Sequence, residues 1–229
     1  MYLDLQPNKQ PTMEALKKPA DPDSIIITYL TLRRIIGILA ISLPFILVIG
    51  SFILDTPKEL HSSLSAYYYS HTRNILVGVL CGVSLFLFSY HGYEWKDSLA
   101  SKLAGLFALG IAFLPTLPLT AIDPDKTAKL LSTLHYVCSG IFFVILSYMS
   151  IFLFTKSKGI KTPNKIKRNR IYRVCGIIML ISVTGIPIDN IPSIHDRISF
   201  LHPTLILETL ALLSFGFSWL TKGEFILKD

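Results

Sequence analysis

The sequence predicts an all-α polytopic transmembrane bundle of six helices with both termini cytoplasmic, and three observations predict it. Six long apolar runs, over 35–54, 74–90, 103–122, 136–154, 174–188 and 203–220, approach the roughly 20 residues that cross about 30 Å of hydrocarbon. The fifth is short and needs its flanking residues to span. Hydrophobic residues make up 51% of the 229 and charged residues only 16%, the balance of a chain whose main solvent is lipid. Lys and Arg also alternate between the connecting segments. With the N-terminus cytoplasmic, 17 of the 22 lie on that side and 5 on the other, as the positive-inside rule requires. Topology thus accounts for the net charge of +7, and nucleic acid is not expected as a partner. The basic run from Lys156 to Arg173 suits anionic headgroups, at about 1 kcal/mol for each cation near the surface.

Residues 1–24 are polar, contain four prolines and read as a disordered cytoplasmic tail. Arg33 and Arg34 precede the first apolar run, which has no small-residue cleavage site after it and reads as an uncleaved signal anchor. Residues 25–223 form one six-helix domain, and 224–229 a short cytoplasmic tail. Pro44 in the first helix and Pro115 and Pro118 near the outer end of the third predict kinks. Gly78 and Gly82 form a Gly-x-x-x-Gly pair in the second helix, and Ala104, Ala108 and Ala112 line one face of the third. Both patterns predict close packing within the chain. Cys81, Cys138 and Cys175 fall inside apolar runs without metal-knuckle spacing and read as small packing residues. No direct repeat is visible. An inverted repeat of three helices, as in some transporters, remains compatible with the pattern.

Five of the six histidines, His61, His71, His135, His195 and His202, fall on the outer side with Asp55, Glu59, Asp123, Asp125, Asp189, Asp196 and Arg73. Glu208 lies within the sixth helix, six residues and so about 9 Å deeper than His202. An ionisable group inside a span is a functional candidate, and Arg73 at the outer end of the second helix is its expected partner. The run from His61 to Asn74 is the densest polar and aromatic stretch. Tyr67, Tyr68 and Tyr69 suit an aromatic belt, while Ser65, Tyr68 and Thr72 share a face if the run is helical. Hydroxyls there, beside a carboxylate and a guanidinium, could hold a lipid headgroup or phosphate. A zinc site built from His71, His135 and His202 is a further expectation, although no His-x-x-x-His or His-Glu-x-x-His spacing fixes two ligands on one helix. There is no Gly-x-Ser-x-Gly elbow. A Ser–His pair of Ser63 or Ser65 with His135 is geometrically conceivable.

The runs Ser-Leu-Ser-Ala-Tyr-Tyr-Tyr (63–69), Arg73-Asn74 through Gly82, Leu134-His135-Tyr136 and Phe215 through Gly223 resemble bacterial six-helix membrane proteins of unknown function, distantly similar to the DRAM/Frag-type family. That resemblance spans most of 60–223 and implies a six-helix integral membrane protein without a reaction. A looser resemblance is to alkaline ceramidase-like membrane hydrolases, through Ser65, His71, Asp123 or Asp125, His135 and His202. That family has seven helices and a His-x-x-x-His pair in the last, where this chain has His202 and Glu208. The expected function is an integral protein, most simply of a bacterial inner membrane, with an outward-facing pocket. In it Arg73 and Glu208 form a buried polar core, and Tyr68, His71, His135 and His202 line the mouth. The pocket would take a lipid headgroup, a small polar ligand or a membrane protein partner. A metal-assisted lipid amide or ester hydrolase and a proton-coupled transporter using Glu208 are the alternatives.

Overall fold

A computed structural model describes residues 22–92, 94–118, 121–157, 159–189 and 191–228, with the side chains of 22–28 and 192 excepted. Among these there are seven α-helices and no strand. They are α1 (Pro22–Leu54), α2 (Arg73–Ser89), α3 (Trp95–Phe113), α4 (Lys126–Tyr148), α5 (Pro163–Asp189), the short α6 (Pro192–Ile198) and α7 (Pro203–Lys222). The six long helices close a ring in the order α1, α2, α3, α4, α5, α7, each packing on the next and α7 returning to α1. The expected tail over 1–24 lies outside the described residues up to 21. The helix already begins at Pro22, well ahead of the apolar run at 35.

Among the described residues four helical stretches are long and apolar enough to cross a membrane: Tyr29–Leu54, Lys126–Leu153, Pro163–Asp189 and Pro203–Lys222. The helix α2 is apolar but shorter, and α3 opens on a charged turn with Lys96 and Asp97. Large apolar side chains point out of the ring on all six long helices. Ile53, Leu85, Phe113, Val144, Ile181 and Phe217 are each at least 48% exposed. A soluble monomer seldom carries apolar surface on this scale, whereas a bundle in hydrocarbon needs it.

Inside the ring the pattern inverts, and serines tie neighbouring backbones together. Ser84 donates to the Gly105 carbonyl (2.7 Å) and Ser101 to Leu87 (2.6 Å), joining α2 to α3. Along α3, Ala104, Ala108 and Ala112 are fully buried, as their spacing predicts. A π-turn over Met149–Leu153 extends α4 and places Ser150 against both the Tyr172 carbonyl (2.8 Å) and Ser218 (2.7 Å). The Gly78–Gly82 expectation fails within the chain, because a Cβ at either would meet nothing within 4 Å. Close approach is instead made by Gly37 and Gly216, each so near the other's carbonyl that a Cβ would sit 2.7–2.8 Å from it. There α1 and α7 touch backbone to backbone. The connection is locked below by Arg34, whose Nε donates to the Gly223 carbonyl (2.8 Å) just past the end of α7.

Candidate functional site

The segments 55–72, 114–118, 121–125 and 191–202 lie at one end of the ring. Between α1 and α2 the chain makes a 3-10 turn over Ser65–Tyr69, which folds inward over the ring. A 3-10 turn repeats every three residues, so Ser65 and Tyr68 share its inner face. Both line a narrow cavity of about 70 Å³ that also touches Leu43, Leu80, Phe142 and Leu212. Every long helix contributes to its wall, which apart from Ser139 is apolar except at the end under the turn.

That end holds Ser65, His135 and Glu208. His135 Nδ1 lies 2.6 Å from the Leu114 carbonyl, which can only accept, so Nδ1 carries a proton. In the neutral ring Nε2 is then an acceptor, and it faces Ser65 Oγ at 3.0 Å. The proline-rich stretch after α3 breaks the helix and leaves the Leu114 carbonyl available for this bond. On the other side of Ser65, Glu208 Oε1 is 3.3 Å away, while Oε2 accepts from the Leu64 amide at 2.5 Å. The carboxyl of α7 thus caps the start of the 3-10 turn from outside it, one of the few ways to satisfy an orphan amide away from water. A second tie, from the Leu205 amide to the Ser62 carbonyl (3.1 Å), holds the same two segments together.

The remaining expected site residues lie apart from this cluster. Arg73 is exposed at the rim, where Nη2 donates to the Tyr68 hydroxyl (2.6 Å) and the guanidinium covers the Tyr68 ring (4.2 Å). The expected Arg73–Glu208 ion pair is therefore not made. Glu208 accepts from the Leu64 amide and lies beside the Ser65 hydroxyl, while Arg73 donates to a phenol. His71 is exposed and pairs with Asp55, Nδ1 to Oδ1 at 2.5 Å. Burial disfavours the Asp55 charge, but hydrogen bonds from the His71 amide and ring outweigh it and hold this carboxyl down at about 2. His202 takes a left-handed conformation (φ 48°) at the start of α7, where it turns the chain rather than facing the cavity. His71, His135 and His202 do not converge. Among the described residues no three His, Cys, Asp or Glu side chains meet as a metal-binding set, so the expected zinc ligands are not assembled.

The aromatic-belt reading also needs correction. Tyr67 is fully buried with its ring edge-on to His61 (4.5 Å), Tyr68 faces the cavity, and only Tyr69 is exposed. Its hydroxyl reaches the Thr116 carbonyl across the bundle end. Sequence reasoning missed the Leu114 carbonyl as the group that orients His135, and Ser139 in the cavity wall one turn further along α4. The i,i+4 spacing of His135 and Ser139 was the signal that could have found the second. The chain matches no family model, no curated protein and no solved structure.

Proposed function

We propose that this chain is an integral membrane protein with six crossings and both termini cytoplasmic, in a bacterial inner membrane, as its resemblance to six-helix membrane families implies. Its pocket under the 65–69 turn binds the junction between the polar and apolar parts of a lipid-like ligand. The single observation that carries the binding reading is a slot with apolar walls that ends in Ser65, His135 and Glu208. At about 70 Å³ it has room for roughly two waters or a short stretch of hydrocarbon, far below a pocket that encloses a whole ligand. One end of an acyl chain therefore fits, with an ester, amide or hydroxyl hydrogen-bonded at Ser65 and His135. Arg73 on Tyr68 stands at the rim, where a headgroup phosphate would lie. The crossings by α2 and α3 rest on length and outer surface. At 1.5 Å per residue α3 is about 28 Å long, and both carry exposed leucines on the outer face.

A second reading is favoured by the Ser65–His135 distance of 3.0 Å, which is that of a nucleophile and its general base. It would make the chain a lipid ester or amide hydrolase. The Leu64 amide, however, is spent on Glu208, where a hydrolase would aim such donors at a developing oxyanion. Binding is accordingly the better reading. Ser139→Leu tests it by filling the slot without touching the polar triad. Mass spectra of the intact chain released from mild detergent should show one retained lipid on the wild type and none on this variant. Equal retention by both would remove the pocket as the binding site. A covalent fluorophosphonate adduct on Ser65 that disappears in His135→Ala would promote the hydrolase reading instead.

A further inference from the structure

The slot beneath the 65–69 turn, about 70 Å³, is too small to enclose an acyl chain, so most of a lipid held there must pass out through the wall. The wall parts along the seam between α4 and α5. Away from the turn these helices touch. A Cβ on Gly176 of α5 would lie 2.3 Å from Ile151 Cγ1, in the π-turn that extends α4, and 3.1 Å from the Ser147 carbonyl oxygen. Seven residues make two turns, so Gly140 stands on the same face of α4 as Ser147, about 10 Å nearer the 65–69 turn. A Cβ there would meet nothing within 4 Å. The antiparallel counterpart, seven residues beyond Gly176, is Val183. Val183 lines the slot with Ile186, and Ser139, the neighbour of Gly140, lines it from α4. The helices are thus in contact at Gly176 and apart at Gly140, and the gap meets the slot.

The seams on either side are shut at the same depth. Between α3 and α4, a Cβ on Gly110 would lie 2.6 Å from Cys138 Sγ, two residues from Gly140. Between α5 and α7, one on Gly185, two residues from Val183, would lie 3.0 Å from Leu207 Cδ1. Thr204 adds a hydrogen bond to Asp189 (2.7 Å) across the same seam. Pro187 supplies a local reason for the opening. It lies inside α5 and has no amide to give the Val183 carbonyl, and its ring crowds that turn, which kinks or loosens a helix. The surfaces flanking the gap are apolar and face outward, with Tyr136 and Val144 of α4 and Ile181 of α5 all exposed. Thr184 beside them turns its hydroxyl back on the Leu180 and Ile181 carbonyls. An acyl chain can therefore run from the slot past Gly140 and Val183 to the outer surface of the bundle.

We infer that the ligand of the pocket is a membrane lipid that enters sideways through the α4–α5 gap at Gly140 and Val183, its acyl chain staying in the gap while its ester or amide lies at Ser65 and His135. This deepens the lipid-binding reading above and rests on it. With both termini cytoplasmic, the leaflet that feeds the gap is the outer one. A water-soluble amphiphile would have to pass the 65–69 turn instead. There the Leu64 amide is held by Glu208 of α7, and Leu64 and Tyr67 are buried. That route requires the turn to detach, whereas the lateral route breaks none of the hydrogen bonds that hold it.

The test follows lipid exchange on the full chain. Protein purified in mild detergent with its retained lipid is mixed with micelles of the same detergent, carrying total phospholipid from the expression host grown in deuterated medium. Mass spectra of the intact chain then time the replacement of light lipid by heavy. Gly140→Trp fills the gap from a position where a side chain meets nothing, and Gly140→Leu fills it with a smaller group. Gly78→Trp places the same bulk on the outward face of α2, where nothing lies within 4 Å either. Replacement at least tenfold slower in Gly140→Trp, slowed less in Gly140→Leu and unchanged in Gly78→Trp is the expected result. If the tryptophan variant does not fold, the leucine variant decides. Wild-type rates in the folded Gly140 variants, or equal slowing in Gly78→Trp, would overturn the lateral route while leaving the pocket intact. Loss of lipid from the Gly140 variants would overturn it too, because position 140 would then belong to the binding site and not to its entrance. A wild type that carries no lipid removes the binding reading itself, and this inference with it.

Discussion

Glu208→Leu is expected to cost the folded bundle about 3 kcal/mol, because it strands a buried donor rather than merely losing a charge. The Leu64 amide has Glu208 Oε2 as its acceptor, and Leu64 itself is buried. Without that carboxyl, the amide that opens the 3-10 turn faces apolar walls, and Ser65 keeps only His135. Glu208→Gln retains an amide oxygen at the same place and should cost about 1 kcal/mol, the ordinary worth of one hydrogen bond. The two variants therefore separate loss of an acceptor from loss of a charge. Unfolding in mixed micelles measures the difference, and hydrogen exchange at the Leu64 amide reports whether the turn has detached. Wild-type stability in Glu208→Leu would show that the 65–69 turn is not held by α7.

Gly216→Val should be comparably damaging for a different reason. A Cβ at 216 would lie 2.7 Å from the Gly37 carbonyl and 2.5 Å from Ile41, so α1 and α7 must separate to admit a branched side chain. Lipid gives helices no hydrophobic reason to stay together, so their association depends on such close packing. A loss of about 3 kcal/mol, at the upper end for overpacking, is expected. The control is Gly78→Val, where nothing lies within 4 Å and the change should stay within about 0.5 kcal/mol. Equal effects at both positions would mean that the α1–α7 contact is not what these glycines serve.

That contrast shows what the sequence could and could not convey. A Gly-x-x-x-Gly pair on one helix is visible in sequence. Gly37 and Gly216 meet only because α7 returns to α1, a tertiary fact that no local pattern encodes. The helices themselves were legible wherever apolar length signalled them, as in α4 and α7. Their charged first turns were not. The start of α1 and the Trp95–Lys102 portion of α3 lie outside the apolar runs, and α6 is too short and polar to register. At the site, depth in α7 led to Glu208, which the structure places in the cavity wall, but charge complementarity named Arg73 as a partner it does not have. The Leu64 amide satisfies that carboxyl, and a backbone donor leaves no mark in sequence. Ser65 and His135, 70 positions apart, could be named as a pair but not placed. The zinc expectation counted histidines on one side of the bundle, where their individual partners decide the outcome: Asp55 for His71 and the Leu114 carbonyl for His135.

The ring holds a second cavity at its other end, and the two differ in kind as well as position. The one under the 65–69 turn is narrow and apolar with a hydrogen-bonding end, while the second, lined by Arg33, Lys156, Lys165, Arg168 and Lys222 against Glu94 and Glu224, is wide and cationic. A ring crossing a membrane would present them to opposite compartments, and both proposals depend on that placement. Single cysteines at Lys126, the first residue of α4 at the first cavity's end of the ring, and at Lys161, between Ile160 and Thr162 of the second cavity's wall, test it most directly once the native cysteines are changed to alanine. Both positions are exposed. With a membrane-impermeant maleimide on intact spheroplasts, Lys126→Cys should label at once and Lys161→Cys only after permeabilisation. Equal labelling of both from outside, or the reverse order, would contradict a bundle that crosses the membrane with its basic cavity in the cytoplasm.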